Sequence, residues 1–415
     1  MLRVHKIKLN PTPEQEQYFW KASGTARFAY NFALAQWQEW YALGGKPSES
    51  ELRRYLNSIK EEQFPWMEEV TKNAVQQAVK NLGQGYANAF RRIATGKPYP
   101  RKKTKSKNYI YNPWGFPTFK KKHKATPSFR ADGGPQDAIS NAVKVADKVV
   151  TLPRCGVVSM REKVRFTGPI KSATVSHNVS GWYVAIAVDT QAKLQRKQDK
   201  GAVGVDVGIK SLAVFSDGTA CPALKPFGTL EKKMVRLSRS ISRKIRFGCN
   251  WQKAKNKLSR LHFRIANIRK DAIHKLTTNL AQNYSAVAIE DLAVANMVKN
   301  HHLAKAIHDC GFGMVKTFLP YKLEMTGGEL RKVNQWFPSS KTCCKCSKIH
   351  DMPLDKRVMD CQCGNHIDRD FNAAINILRE AIAIKPVERK ALVARKRVTK
   401  LVSVKQENLD LRKIA

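Results

Sequence analysis

Acidic side chains are scarce in this chain of 415 residues. Only 33 Asp and Glu stand against 75 Lys and Arg, leaving a formal charge of +42. Two long stretches carry no acid at all: residues 97–131, with eleven Lys or Arg, and residues 232–270, with fourteen. A fold with that much self-repulsion needs a polyanionic partner. Nucleic acid is the leading one, because neutralised phosphates release counterions. An anionic membrane surface is the weaker choice, since no apolar run approaches the ~18 residues of a span. The opening MLRVHKIKLN puts charges where a signal peptide needs an apolar core, so an intracellular setting with reduced thiols is expected. Cysteine is sparse outside one place. Cys155, Cys221, Cys249 and Cys310 are isolated and read as packing residues, while the other five of nine fall within residues 343–363, which favours a metal over a disulfide framework.

What is present is enough for two or three domains with real cores, at 42% hydrophobic content. Residues 2–9 alternate like a short strand. Thr12, Pro13 and Gln15 then form a helix start with a capping box, and helical patterning runs to Trp40 before Gly44-Gly45 breaks it. Residues 50–61 and 73–93 read as further amphipathic helices. Residues 97–131 interleave their cations with seven aromatics and five prolines. Cations there can meet phosphates while rings stack on bases; the bland alternative is a linker whose aromatics pack on a neighbouring domain. Short strands follow over 148–153, 172–177 and 181–188, a small barrel or sheet that can share the first strand. Residues 191–200 look like a linker.

Gly201 opens a different domain, read as strand, tight turn, strand, Asp-Gly hairpin and strand. Residues 232–270 read as two basic amphipathic helices joined near Gly248. Residues 283–290 form a buried strand ending in an acid, 305–325 a helix and 329–333 a strand. Three carboxylates then stand in a telling order. Asp206 ends a buried strand, where an unpaired acid is costly; Glu290 does the same; Asp370 opens a helix-forming run. A nuclease of RNase H type needs such a cluster to hold two divalent ions about 4 Å apart, and oxygen ligands suit Mg²⁺ or Mn²⁺. Taken singly, a strand-end acid is more often a helix cap or a salt-bridge partner; it is the order of the three in so basic a chain that points to a site. Asp368 and Asp291 are candidate caps, and Asp217 is a turn residue.

Cys343-x2-Cys346, fourteen residues, then Cys361-x-Cys363 resembles a zinc ribbon. Thiolates suit Zn²⁺ better than harder cations, and four protein ligands make the ion structural. The second pair is one residue short of the usual spacing, so His350 or His366 is a possible replacement ligand, and Cys344 is an extra thiol.

These residues carry a resemblance to the TnpB (OrfB) family of insertion-sequence proteins, compact relatives of type V CRISPR effectors. The T-x-x-Q helix with Ala26-Arg-Phe-Ala-Tyr-Asn31 resembles that family's N-terminal segment. Gly204-Val-Asp206-Val-Gly-Ile-Lys210 is similar to its first RuvC motif and Ala288-Ile-Glu290-Asp-Leu292 to its second. Phe337-Pro-Ser-Ser-Lys-Thr-Cys343 and Asp368-Arg-Asp370-x-Asn-Ala-Ala-x-Asn376-Ile resemble its zinc and third RuvC motifs. The resemblance implies an α/β multidomain chain: a β-barrel (WED-like) over 1–10 and 115–198, a helical recognition (REC-like) region with basic linker over 11–114, an RNase H-like RuvC domain over 199–336, an inserted zinc ribbon over 337–366, the third-motif helix over 367–385 and a basic tail over 386–415. It implies an RNA-guided DNA endonuclease in the prokaryotic cytoplasm, associated with the nucleoid. Its partners would be a guide RNA (omega RNA) and double-stranded DNA bearing a short adjacent motif. It carries the catalytic, magnesium-holding role onto Asp206, Glu290 and Asp370, and zinc onto Cys343, Cys346, Cys361 and Cys363. Lys72, Asn73 and Gln76 resemble the motif-reading helix. Arg101, Lys102, Lys103, Lys120, Lys121 and Lys122 are the backbone contacts expected of the basic segment. A repressor that binds by guide RNA without cutting, and a transposase, are the alternatives.

Overall fold

The computed structural model describes residues 1–99, 111–122, 124–133, 142–190, 200–353 and 355–383. The chain divides into two compact units, Met1–Leu194 with Phe227–Ile268, and Gln195–Pro226 with Arg269–Ala415.

In the first unit, β1 (Leu2–Asn10) leads into α1 (Pro13–Ala42), which opens with the expected capping box of Thr12 and Gln15. Then come α2 (Glu49–Gln63) and α3 (Lys72–Ala94). The strands β2 (Ser128–Asp132), β3 (Lys144–Ala146), β4 (Val149–Leu152), β5 (Gly156–Met160), β6 (Ile170–Asn178) and β7 (Gly181–Asp189) follow. They form one seven-stranded sheet in the order β2-β6-β7-β1-β5-β4-β3. The N-terminal strand is therefore central, paired antiparallel with β7 and with β5. The two edges approach at one bond, Val143 N–H to the Asp132 carbonyl at 3.4 Å. The sheet and the helices share a single core, in which Ile7, Phe19, Leu34, Leu82, Val184 and Ile186 are fully buried. Burying each such side chain stabilises by about 1.5–3 kcal/mol, so the helices and strands are not independent bodies. The unit also holds α4 (Pro226–Ser242) and the first part of α5 (Cys249–Asn283), which pair through Met234, Leu261 and Ile265.

The second unit is built on a five-stranded sheet of β8 (Ala202–Asp206), β9 (Ser211–Phe215), β10 (Ala220–Pro222), β11 (Ala286–Glu290) and β12 (Glu329–Val333), ordered β10-β9-β8-β11-β12. β8, β11 and β12 run parallel, and β9 and β10 are antiparallel. Alternation along the strands decides what lies on each face. Val203, Val205, Val287 and Ile289 join Ile273, Leu276 and Leu280 of α5 in one core. That core also takes α7 (His301–Cys310) and α8 (Phe312–Thr326), which follow a short α6 (Val294–Met297). The continuous helix expected over 305–325 is broken, because Gly311 adopts a left-handed φ of +72° that stops α7 and starts α8. On the opposite face, Ala288 and Val333 pack against Ile377 and Ala381 of α9 (Arg369–Ala383). A hairpin of β13 (Val358–Cys361) and β14 (Asn365–Asp368) precedes α9. Among the described residues no helix is long and apolar enough to cross a membrane.

Candidate active site and metal centre

Gly204 and Ala288 face α9, so the residues two further along each strand, Asp206 and Glu290, face it as well. The parallel register pairs Ile289 with Val205, placing the two acids side by side at the strand ends. Asp370 lies in the first turn of α9. What brings that turn to the strands is Gly204: a Cβ there would lie 2.1 Å from the Ala374 carbonyl oxygen and 2.7 Å from the Leu378 nitrogen. The helix can approach the strand this closely only because the side chain is a hydrogen atom. Asp368 caps α9, accepting from the N–H groups of Asp370 (2.9 Å) and Phe371 (3.2 Å).

The three carboxylates feel one another. Burial, then the charges of Glu290 and Asp370, push Asp206 up to about 7 against weaker opposition from the Val207 N–H and Arg369. Burial also raises Glu290, although a hydrogen bond from Ser339 opposes it. Among the described residues no ion pair joins Asp206, Glu290 or Asp370 to a cation. Their oxygens do not all gather within reach of one ion; among the described residues only a cysteine group does so. Acids spread across two ions about 4 Å apart have no need to converge on a single point.

A folded carboxyl pKa above the ordinary value of about 4 favours folding at low pH and loses that benefit as pH rises through the folded value. Metal-free protein should therefore melt at progressively lower temperature from roughly pH 4 to 7, and more so than an Asp206→Asn variant. A scan of melting temperature against pH in chelator, with the two curves parallel, would exclude the assigned shift.

Residues from outside the three motif acids hold the site together. The Ser339 hydroxyl donates to Glu290 Oε1. The loop carrying Ser339 is in turn held by two amides on α9. Asn376 Nδ2 donates to the carbonyls of Ser339 (2.8 Å) and Thr342 (2.6 Å), and Asn372 Nδ2 to that of Thr342 (2.7 Å). Asn372 Oδ1 accepts from the Cys344 N–H at 2.9 Å. Both Asn side chains are buried, so their bonds are not exchanged with water. The sequence signal for them is an amide repeated at i and i+4 on one helix face, just after Asp370.

Cys343, Cys346, Cys361 and Cys363 come together with their sulfurs within 4.8 Å of one another. Cys343 to Cys363 is 3.6 Å and Cys346 to Cys361 is 3.5 Å. Tetrahedral Zn–S bonds of about 2.3 Å require sulfurs roughly 3.8 Å apart, so the cluster fits that ion. The short Cys361-x-Cys363 spacing works because it sits in a hairpin. Cys361 ends β13 and pairs with Asn365, and Gly364 turns the loop at a φ of +77°. Of the two replacement ligands, His350 stands beside the cluster, its Nε2 3.2 Å from Cys361 Sγ. His366 is exposed and pairs with Asp360 instead. Burial raises the Cys343 thiol, but backbone N–H groups of Cys346 and Lys345, together with the Cys363 and Cys346 thiols, outweigh it and bring the pKa down to about 6.

The nucleic-acid candidates are placed unevenly. Lys72 is exposed and Gln76 half-buried at the start of α3, while Asn73 is buried. Lys121 and Lys122 are exposed. Lys120 is packed: its ammonium lies 3.6 Å from the Tyr30 ring centroid, and its backbone exchanges two hydrogen bonds with the Asn31 side chain. Arg101, Lys102 and Lys103 lie outside the described residues, as do the basic tail and most of the linker at 191–200. Of the aromatics between them, Phe129 is buried and Phe116 packs against the core, Tyr99 stacks under Arg92, and Phe119 is exposed. Asp291 does not cap; it pairs with Lys316 at 2.7 Å.

An α/β chain with acids clustered above parallel strands and a four-cysteine module beside them matches a known class. Residues 185–301 match a family described as a probable transposase of the OrfB type, residues 312–377 a Cas12f1-like TNB domain, and residues 1–46 a helix-turn-helix domain. That last segment is here a strand followed by one 30-residue helix. A relative in Escherichia coli K12, a putative RNA-guided DNA endonuclease InsQ, is 31% identical over 92% of this chain and 93% of its own length. A putative RNA-guided DNA endonuclease of Streptomyces pristinaespiralis is also 31% identical, over 92% and 90%. The fold resembles the protein in the cryo-EM structure of a Cas12f1–sgRNA–target DNA complex, with a TM-score of 0.51 and 16% identity over 88% of this chain and 83% of that one. The chain belongs to the TnpB (OrfB) family of insertion-sequence proteins.

Proposed function

We propose that the chain is an RNA-guided DNA endonuclease of an insertion sequence that cuts both target strands in turn at one RuvC-type site. The observation that carries this is Asp206, half-buried at the end of β8, where desolvation and the charges of Glu290 and Asp370 push it up to about 7 and, among the described residues, no ion pair offsets them. An acid kept in that state costs stability unless a ligand compensates it. The sheet of three parallel strands with β9 reversed supports an RNase H-like reading, and the shared family supports the guided activity. On this reading the seven-stranded sheet is the WED-like part, α1–α3 the REC-like part, and residues 337–366 the zinc ribbon.

Asp206, Glu290 and Asp370 would hold Mg²⁺ or Mn²⁺. Divalent ions held there would supply activation of the attacking water and neutralisation of charge at the leaving 3′ oxygen. Ser339 fixes the rotamer of Glu290, and Gly204 admits the helix that delivers Asp370. Sequence is read by pairing between guide and target, while the protein checks a short adjacent motif. Cationic surface binds phosphates, so binding weakens steeply with salt.

The test is cleavage of a guide-matched plasmid with a randomised flank, using protein co-expressed with RNA from the downstream end of its own gene. Mg²⁺-dependent cutting beside one enriched flank is the expected result. Target occupancy without cutting would point to a repressor, and strand transfer without a guide to a transposase; either overturns the reading. A second expectation concerns zinc. Cys343→Ser should reduce bound zinc below one ion per chain and lower the melting temperature, because structural sites contribute folding energy directly. Unchanged zinc content and stability would exclude Cys343 as a ligand.

A further inference from the structure

The turn joining α4 to α5 places apolar groups in water at the most basic part of the chain. Ile245 is 87% exposed and Phe247 75%. Arg243, Lys244 and Arg246 surround them, in the acid-free stretch of fourteen cations. The Gly248 N–H donates to the Ile245 carbonyl at 3.1 Å, closing a four-residue turn whose third position is Phe247 at a φ of +71°. That position favours glycine, and glycine stands one residue later. A phenylalanine there strains the backbone, and at its exposure it buries little in return. The ring is also presented in a particular way. Trp251 lies with its centroid 5.5 Å away, Arg246 sits 4.9 Å from the Phe247 centroid, and Lys255 4.8 Å from that of Trp251. Flat rings with flanking cations are what unpaired bases and their phosphates bind.

We propose that this hairpin tip, centred on Phe247 and Trp251, is a base-stacking site for an unpaired nucleotide of the bound RNA; the inference rests on the RNA-guided reading above. RNA is favoured over target DNA because stacking on a side chain needs a base out of its helix. Folded RNA offers such bases in loops and ends before any target is met, whereas DNA offers them only after guide pairing has opened the duplex.

The test uses full-length protein and RNA transcribed from the downstream end of its gene. Phe247→Gly suits the turn, so it should melt no lower than wild type, yet bind the RNA about tenfold more weakly. Its salt dependence should be unchanged, since no charge is lost, whereas Lys253→Ala with Lys255→Ala should flatten that dependence. RNA containing 4-thiouridine should crosslink to residues 247–251. Wild-type binding and guided cutting that are indifferent to Phe247→Gly and Trp251→Ala would overturn this inference alone. A wild-type protein that does not bind the RNA would overturn the functional reading as well. If the variants instead change the mass of the protein in solution, the tip meets a second copy and the inference fails.

Discussion

Asp206→Ala leaves guide-directed DNA binding within about twofold of wild type and lowers cleavage by at least about a thousandfold. The two effects separate because of where the residue sits. Asp206 is at the end of β8, half-buried and next to two other acids. It presents no positive charge to phosphates, and removing it can only lessen repulsion of DNA. Its loss takes away the carboxylate on which the charges of both Glu290 and Asp370 act. The neutral side chain should also raise the stability of metal-free protein at pH 7, where wild type bears the cost of ionising an acid beside two others. Binding by filter retention, cleavage by gel and melting temperature in chelator can be read on one preparation. Cutting at the wild-type rate would remove Asp206 from the site; loss of binding together with cutting would mean that the variant fails elsewhere.

Gly204→Ala costs about 3 kcal/mol of stability in the second unit and removes cleavage with it. The added methyl would lie 2.1 Å from the Ala374 oxygen, 2.7 Å from the Leu378 nitrogen and 2.9 Å from the Leu378 Cβ. Two of those atoms are helix backbone, which cannot rotate aside as the end of a long side chain would. The helix must therefore lift, and Asp370 rides on its first turn. The control is Gly313→Ala in α8, where a Cβ meets nothing within 4 Å; it should be neutral or slightly stabilising. Equal melting temperatures for the two variants would refute the close-approach argument.

Much of this site could be read from the chain alone. Asp206 and Glu290 each end a run of small and β-branched residues, and the strands stop where the runs stop. The cysteine pairs were legible by spacing, and Asp368 as a cap by its place before a helix. What could not be read depends on tertiary approach. Gly204 looks like any glycine in a strand until α9 is laid over it. Ser339 and Asn376 stand in recognisable motifs, but their hydrogen bonds span 49 and 37 positions. Asn73 and Lys120 looked like surface contacts because polar side chains usually are, yet one is buried and the other is held by Tyr30 and Asn31. Strands β2, β3 and β5 were missed because they are three to five residues long and mix polar with apolar side chains. The helix break at Gly311 was hidden in a run whose periodicity continues across it.

The loop of residues 339–344 bears on any attempt to shorten this chain. By covalent order it opens the cysteine module, yet its Ser339 hydroxyl serves Glu290 and its carbonyls and Cys344 N–H are held by α9. A fragment cut before residue 337 would keep two acids in place on paper. It would lose Asp370 and would also release the Glu290 side chain from its hydrogen bond, so the boundary between the halves of a split protein belongs upstream of β11 rather than between β12 and the first cysteine.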